Sequence, residues 1–175
     1  MNKDNVKAVI RILRNESKHG KELNVASCLD NVWYDNGFIY ATDRFRIVRI
    51  PVRLDIPDMS HIGIKELSEW ANAKGRSINE DIDWSSLAWK KPHFSFPAAY
   101  RLFDESLYDQ SGSLSPYVSL NPGYMIDGMR FLAQREYADG VPRIDIRFQN
   151  DHPAIKPVWI ENGNGLVYLI VPLRK

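Results

Sequence analysis

Apolar positions at the start of the chain recur at helical spacing. Val6, Val9, Ile10 and Leu13 share one side of a helix expected over 2–18, with Gly20 as its stop. Short strands follow at 25–34 and 38–42. They flank Asp35-Asn36-Gly37, and Asn-Gly between apolar runs marks a tight hairpin whose two central residues need φ > 0. A third strand over 45–52 places Phe45, Ile47 and Arg49 on one face and Arg46, Val48 and Ile50 on the other, with Pro51 at an edge. A short helix is expected over 64–74, closed by Gly75.

The stretch 79–117 has no sustained period. Its Trp84, Trp89, Phe94, Phe96 and Phe103 argue that it packs onto something, while Pro92, Pro97, Gly112 and Pro116 break it up. Ser111-Gly112-Ser113 is its best candidate for a mobile loop. The last third repeats the plan of the first. A helix over 122–136 has Met125, Met129, Leu132 and Ala133 as its apolar side, and proline near a first turn costs no hydrogen bond. Ile144, Ile146 and Phe148 alternate with Asp145 and Arg147, the pattern of a half-buried strand. Strands over 158–160 and 166–171 flank Asn162-Gly163-Asn164-Gly165, a second hairpin signal. Helix, strand and Asn-Gly hairpin thus occur twice, an internal pseudo-repeat by pattern.

Charge sharpens this picture. The 175 residues carry a formal net charge of +1, too little for a protein held to nucleic acid by bulk charge. The layout is uneven. Residues 1–53 hold ten basic and six acidic side chains, 54–116 six and ten, and 117–175 seven and six. Within the first segment Lys7, Arg11, Arg14 and Lys18 fall within about 60° of one another around the helix, away from its apolar side. Such a stripe is either a solvated face or an anion-binding one, and it contains no acid. One cysteine excludes an intramolecular disulfide and a Cys-rich zinc site. With no long apolar run and no signal peptide at the start, a cytoplasmic protein with no membrane association is expected.

Catalytic motifs are missing: there is no P-loop, G-x-G-x-x-G, H-E-x-x-H or G-x-S-x-G. His19, His61, His93 and His152 are far apart and read as surface or turn histidines. Cys28 reads as a buried small residue in a strand. Glu80, Asp81 and Asp83 form an acidic cluster, better taken as a solvated loop or helix start than as acid–base or metal chemistry. A non-enzyme with no cofactor and no metal is expected.

Ala41-Thr42-Asp43-Arg44-Phe45-Arg46-Ile47 is the first of four segments, in the right order, that carry a family resemblance. It resembles the A-T-D-G-[HYF]-R-L of the sliding-clamp family, the beta subunit of bacterial DNA polymerase III. Leu120-Asn121-Pro122-Gly123-Tyr124-Met125-Ile126-Asp127 is similar to F-N-P-x-Y-L-L-D at the opening of the last helix. His152-Pro153-Ala154-Ile155-Lys156-Pro157-Val158 looks like S-P-A-L-I-R-P-V, and Tyr168-Leu169-Ile170-Val171-Pro172-Leu173-Arg174-Lys175 looks like the closing Y-L-I-M-P-M-R-L. The match covers about 1–53 and 117–175.

The resemblance implies an α+β fold: one DNA-clamp-like domain of two βαβββ halves, 1–53 and 117–175, with helices on one face and antiparallel sheets on the other. Residues 54–116 are then a divergent middle segment or insertion. It implies a homo-oligomeric ring around double-stranded DNA, bound without sequence preference, which takes about six copies if each supplies one domain. Lys7, Arg11, Arg14 and Lys18 would touch phosphates, with Arg130 a weaker member and Arg135 near the helix end. It also implies a cleft for the apolar peptide motifs of a DNA polymerase or other partners. Carried over residue by residue, that cleft is Thr42, Arg46, Ile47, Asn121, Tyr124, Ile170, Val171, Pro172, Leu173 and Arg174; the same residues also suit an ordinary strand end and core. The family's glycine is Arg44 here, at a place where φ > 0 is costly for arginine. Reduced size and a divergent middle point to a phage or mobile-element relative. A monomeric clamp mimic that captures host replication or transcription proteins through the same cleft is the alternative. A DNA-processing enzyme would need chemistry from Glu80, Asp81 and Asp83.

Overall fold

The computed structural model describes residues 1–23, 30–91, 99–111, 116–133, 143–152 and 154–173, with the backbone alone for 15–23. Val25, Cys28, His93, Phe94, Phe96, Gly112, Ser113, Arg135, Pro153, Arg174 and the side chains of Lys18 and His19 therefore lie outside the described residues.

Helix α1 (Lys3–Leu23) is followed by β1 (Asn31–Asp35), β2 (Phe38–Thr42) and β3 (Arg46–Pro51), an antiparallel meander. After β4 (His61–Gly63) and α2 (Ile64–Asn72) come short 3₁₀ turns, the last of them Ala99–Phe103 and Glu105–Leu107. Helix α3 (Pro122–Leu132) then precedes a second meander, β5 (Asp145–Arg147), β6 (Val158–Glu161) and β7 (Val167–Ile170). The two meanders meet where β3 pairs with β7, giving one seven-stranded sheet of order β4-β1-β2-β3-β7-β6-β5. Asn36 (φ 49°) and Gly37 (φ 82°) make the expected left-handed pair between β1 and β2.

The helices lie on one face. Helix α1 touches both α2 and α3, so it is covered on more of its circumference than an amphipathic surface helix. Ala8 and Ile12 are fully buried together with Val6, Val9 and Leu13, and Ile10 is nearly so. Gly20 does not stop α1, which continues to Leu23; glycine inside a helix costs about 1 kcal/mol and need not end it. Helix α3 buries Gly128, Phe131 and Leu132, whereas Met129 is half-buried and Ala133, its C-cap, is exposed. The buried side is thus rotated from the expected one, because Gly128 lets the Tyr168 ring lie against the helix backbone.

Asn5, 3% exposed, ties the helices together. Asn2 Oδ1 accepts from the Asp4 and Asn5 amides, and Asn5 Oδ1 accepts from the Asn2 amide, a reciprocal N-cap. The Asn5 side-chain nitrogen donates to the carbonyls of Phe131 (2.7 Å), Ala133 (2.8 Å) and Arg130 (3.2 Å). Asn162 Nδ2 takes the Leu132 carbonyl at 2.8 Å. Carbonyls orphaned at the end of α3 are thereby satisfied by two buried amides. The start of α1 is pinned to the end of α3, so the two helices run antiparallel.

The sheet is covered on its other face as well. Trp33, Tyr40, Ile47, Trp159, Val167 and Leu169 form a second core with Ala99, Phe103 and Tyr108 from the middle of the chain. The Arg49 guanidinium lies in this core, within 5.0 Å of the Phe38, Phe103 and Trp159 ring centres. The irregular middle also packs under the helices through Trp84 and Trp89.

Two expectations change and a third holds. His61 is buried in β4, whose edge is closed by backbone pairing with Lys90 (3.1 and 2.9 Å). Strand β5 is a sheet edge, so Ile146 stays 49% exposed and Ile144 is also open. The acidic cluster is the exposed loop and turn start expected: Glu80 pairs with Arg76, Asp81 with the Met1 amino group, and Asp83 caps the turn at Trp84.

The turn between β2 and β3 holds Arg44 at φ 75°. Thr42 Oγ1 accepts from the Arg44 amide (3.0 Å) and donates to the Arg46 carbonyl (2.8 Å). The fully buried Asp43 accepts from the amides of Phe45 and Arg46.

Three substitutions test these packing arguments by urea denaturation. Asn5→Ala strands the α3 carbonyls and should cost about 2 kcal/mol. Gly128→Ala puts a Cβ 2.6 Å from the buried Tyr168 ring, so it should destabilise by about 1–3 kcal/mol despite alanine's better helix propensity. Arg44→Gly relieves the left-handed strain and should raise the midpoint, by about 0.5–1 kcal/mol in stability.

Candidate functional site

Running antiparallel to α3, α1 carries Arg11 and Arg14 to the start of α3. A pocket of about 370 Å³ opens there, with Arg11 and Arg14 on one wall and Asn121, Gly123 and Tyr124 on the other. Asn121 is the N-cap of α3, its side chain accepting from the Gly123 and Tyr124 amides at 2.9 and 3.3 Å.

Arg46 forms the floor. It is only 3% exposed, and a buried cation needs partners. Its Nε donates to Asp43 (2.9 Å), one terminal nitrogen donates to Asp127 (2.8 Å), and the guanidinium lies 4.4 Å from the Tyr124 ring centre. Burial works against its charge, but Tyr168, Asp43 and Asp127 outweigh that and hold its pKa above the ordinary value. Burial pushes the Tyr168 phenol up, so it stays neutral and donates to the Tyr124 carbonyl at 2.8 Å. The polar floor is thereby locked by its own partners.

An apolar rim adjoins it. Phe45, 47% exposed, stacks on Tyr124 with ring centres 6.2 Å apart. Past β7, the Val171 amide donates to the Phe45 carbonyl (2.8 Å) and the Leu173 amide to that of Ser119 (2.7 Å). Leu173 is 50% exposed, Val171 half-buried and Pro172 buried.

Of the cleft residues carried over from the family resemblance, Arg46, Asn121 and Tyr124 come together here. Thr42 is buried in the turn that positions Arg46, and Ile170 is fully buried beneath the helices. Ile47 is on the opposite sheet face, in the second core. Of the basic stripe, Arg11 and Arg14 are exposed and Lys7 is half-buried. Arg130 is exposed and pairs with Asp127 at 3.7 Å. Arg11 and Arg130 also line a smaller cavity of about 290 Å³ with Asp4, so this helical face mixes signs where the basic stripe alone contained no acid.

Sequence reasoning missed Phe45 as a rim residue, placing it on the face of Ile47. It stands just before β3, where strand alternation does not hold. Asp127 was missed as a partner of Arg46, a pairing across 81 positions that leaves no local signal. No group of three or more His, Cys, Asp or Glu residues is placed to hold a metal among the described residues. Nor is any helix among them long and apolar enough to cross a membrane.

No family model matches this chain, and no curated protein matches it. Its fold is similar to the crystal structure of the DNA polymerase sliding clamp from Bacillus subtilis, with a TM-score of 0.57 and 17% sequence identity. That match covers 100% of this chain and 63% of the length of the clamp. The likeness establishes a DNA-clamp-like α+β fold, with three α-helices against a seven-stranded antiparallel sheet among the described residues.

Proposed function

We propose that the protein is a non-enzymatic, sliding-clamp-like processivity factor. It encircles or lies along duplex DNA as a homo-oligomer, with Lys7, Arg11, Arg14, Lys18 and Arg130 towards the phosphates. It tethers a DNA polymerase or another replication protein by a peptide at the cleft of Arg46, Asn121, Tyr124, Val171 and Leu173. The observation that carries this reading is the clamp-like fold over the whole chain combined with exposed arginines on α1. A sliding protein needs a weak grip on phosphates rather than base contacts, and a few exposed arginines on a near-neutral chain suit that need.

A second reading has its own support. Asp4 and Asp127 share the helical face with the arginines, which weakens its attraction for DNA. A monomeric clamp mimic would keep the cleft and dispense with DNA.

Light scattering with and without duplex DNA separates the two. The processivity reading expects a mass that is a multiple of 20.2 kDa, at least on DNA. Arg11→Glu with Arg14→Glu should weaken duplex binding and lower the salt slope by about two. Leu173→Asp should abolish capture of a polymerase peptide and leave DNA binding alone. A strict monomer whose partner capture ignores the double reversal identifies the mimic instead.

A further inference from the structure

The two edges of the sheet are finished differently. At β4, the His61 amide and carbonyl exchange hydrogen bonds with Lys90 (3.1 and 2.9 Å), and the chain turns into α2 at Gly63. That edge is closed. At the other end, the stretch just past β5 is closed as well: the Phe148 carbonyl accepts from the Asp109 amide (2.8 Å), and the Asn150 amide donates to the Leu107 carbonyl (2.9 Å). Peptide groups of alternate residues on a strand point the same way, so those of Ile144 and Ile146 point outwards with those of Phe148. They have no hydrogen-bond partner among the described residues. Residues 143–146 are all exposed. Ile144 and Ile146 lie on the helix side of the sheet, because Ile146 is opposite Ile160 of the core beneath the helices. Unpaired strand edges recruit other strands, and folds that guard against this place charges there that repel a second copy. This edge instead alternates in sign, with Arg143 and Asp145 on either side of Ile144.

We propose that this open edge binds the same edge of a second copy, antiparallel, about a two-fold axis through Ile144. This rests on the homo-oligomer reading above and names its contact. Three registers centre on the open stretch, and charge and space decide between them. Centred on Asp145, the pairing sets Asp145 against Asp145 and Arg143 against Arg147. Centred on Ile146, it sets Ile144 against Phe148, whose outward carbonyl Asp109 already holds. Centred on Ile144, it sets Arg143 of each copy against Asp145 of the other, and the two Ile144 side chains meet at the axis. The last register matches opposite charges twice and leaves the Asp109 contact alone. A two-fold axis perpendicular to the sheet keeps the helices of both copies on one side. Arg11 and Arg14 of the two copies then face the same way, which extends a weak phosphate-binding surface along a duplex. Head-to-tail growth through sheet edges needs two open edges, and each copy has one, so this contact stops at two copies.

Light scattering over a concentration series, with and without duplex DNA, should show a limiting protein mass of twice 20.2 kDa. R143D and D145R each set like charges against one another in two places, so each should weaken the dimer about tenfold. An equimolar mixture of these two variants should associate like wild type, because every opposed pair then has opposite signs again. A mere folding defect would not be rescued in that way. In a Cys28→Ala background, Ile144→Cys should oxidise to a disulfide-linked dimer, since the Cα atoms of such an antiparallel pair are about 5.5 Å apart. Ile146→Cys should stay reduced, its two copies being about 14 Å apart along the paired strands. A limiting mass above two copies, an oligomer indifferent to both reversals, or variants that stay apart when mixed overturns the inference and leaves the homo-oligomer reading standing. Cross-linking through Ile146→Cys but not Ile144→Cys does the same. A monomer at every concentration, on DNA and off it, overturns both.

Discussion

The Asn5 side chain sets the geometry on which the rest depends. A buried helix end carries carbonyls with no partner in the helix, and each must find a donor. Here one amide nitrogen reaches three carbonyls of α3 within 3.2 Å. Because Asn5 is in the first turn of α1, meeting that need also fixes the direction and axial position of α1. Two turns further on, Arg11 and Arg14 arrive beside the opposite end of α3. A hydrogen-bonding requirement at one end of a helix pair thus decides which side chains meet at the other.

The sheet imposes a second constraint. With helices on one face and the stretch from Ala99 to Tyr108 on the other, it is buried on both sides at its centre. Residues on successive strand positions therefore enter different cores and cannot share a site. Arg46 and Ile47 are neighbours in sequence, but one lies under α3 and the other among Trp33, Tyr40 and Trp159. A second covered face also explains why the middle of the chain is rich in aromatic residues without a period: short turns laid across a sheet bury side chains one at a time.

How far sequence reveals such a fold depends on the range of the interactions. Asn36-Gly37 was legible because few residues tolerate two successive left-handed conformations, and β2 follows within its expected bounds. Alternation placed Arg46 and Ile47 on opposite faces, and grouping them in one cleft set that aside. The exposure of Ile146 was not legible, since a half-apolar strand reads the same at the edge as in the middle of a sheet. The Arg46–Asp127 pair and the Asn5 contacts join residues far apart in the chain, where no local pattern reports them. The site is where local reading ends, because it is assembled from a turn, the middle of α1, the start of α3 and the residues after β7.

Arg44 shows the reverse case, in which local bonds fix the backbone whatever the side chain. Its turn is shaped by the Thr42 hydroxyl and the Asp43 carboxylate, which bond three successive amides. The identity of the residue at the left-handed position is then a matter of about 1 kcal/mol, not of shape. Glycine is thus not required there for the backbone to keep its path. Residue identity and backbone form are therefore set separately within one turn: the hydroxyl and the carboxylate fix its path, and the residue at its left-handed corner is free to differ.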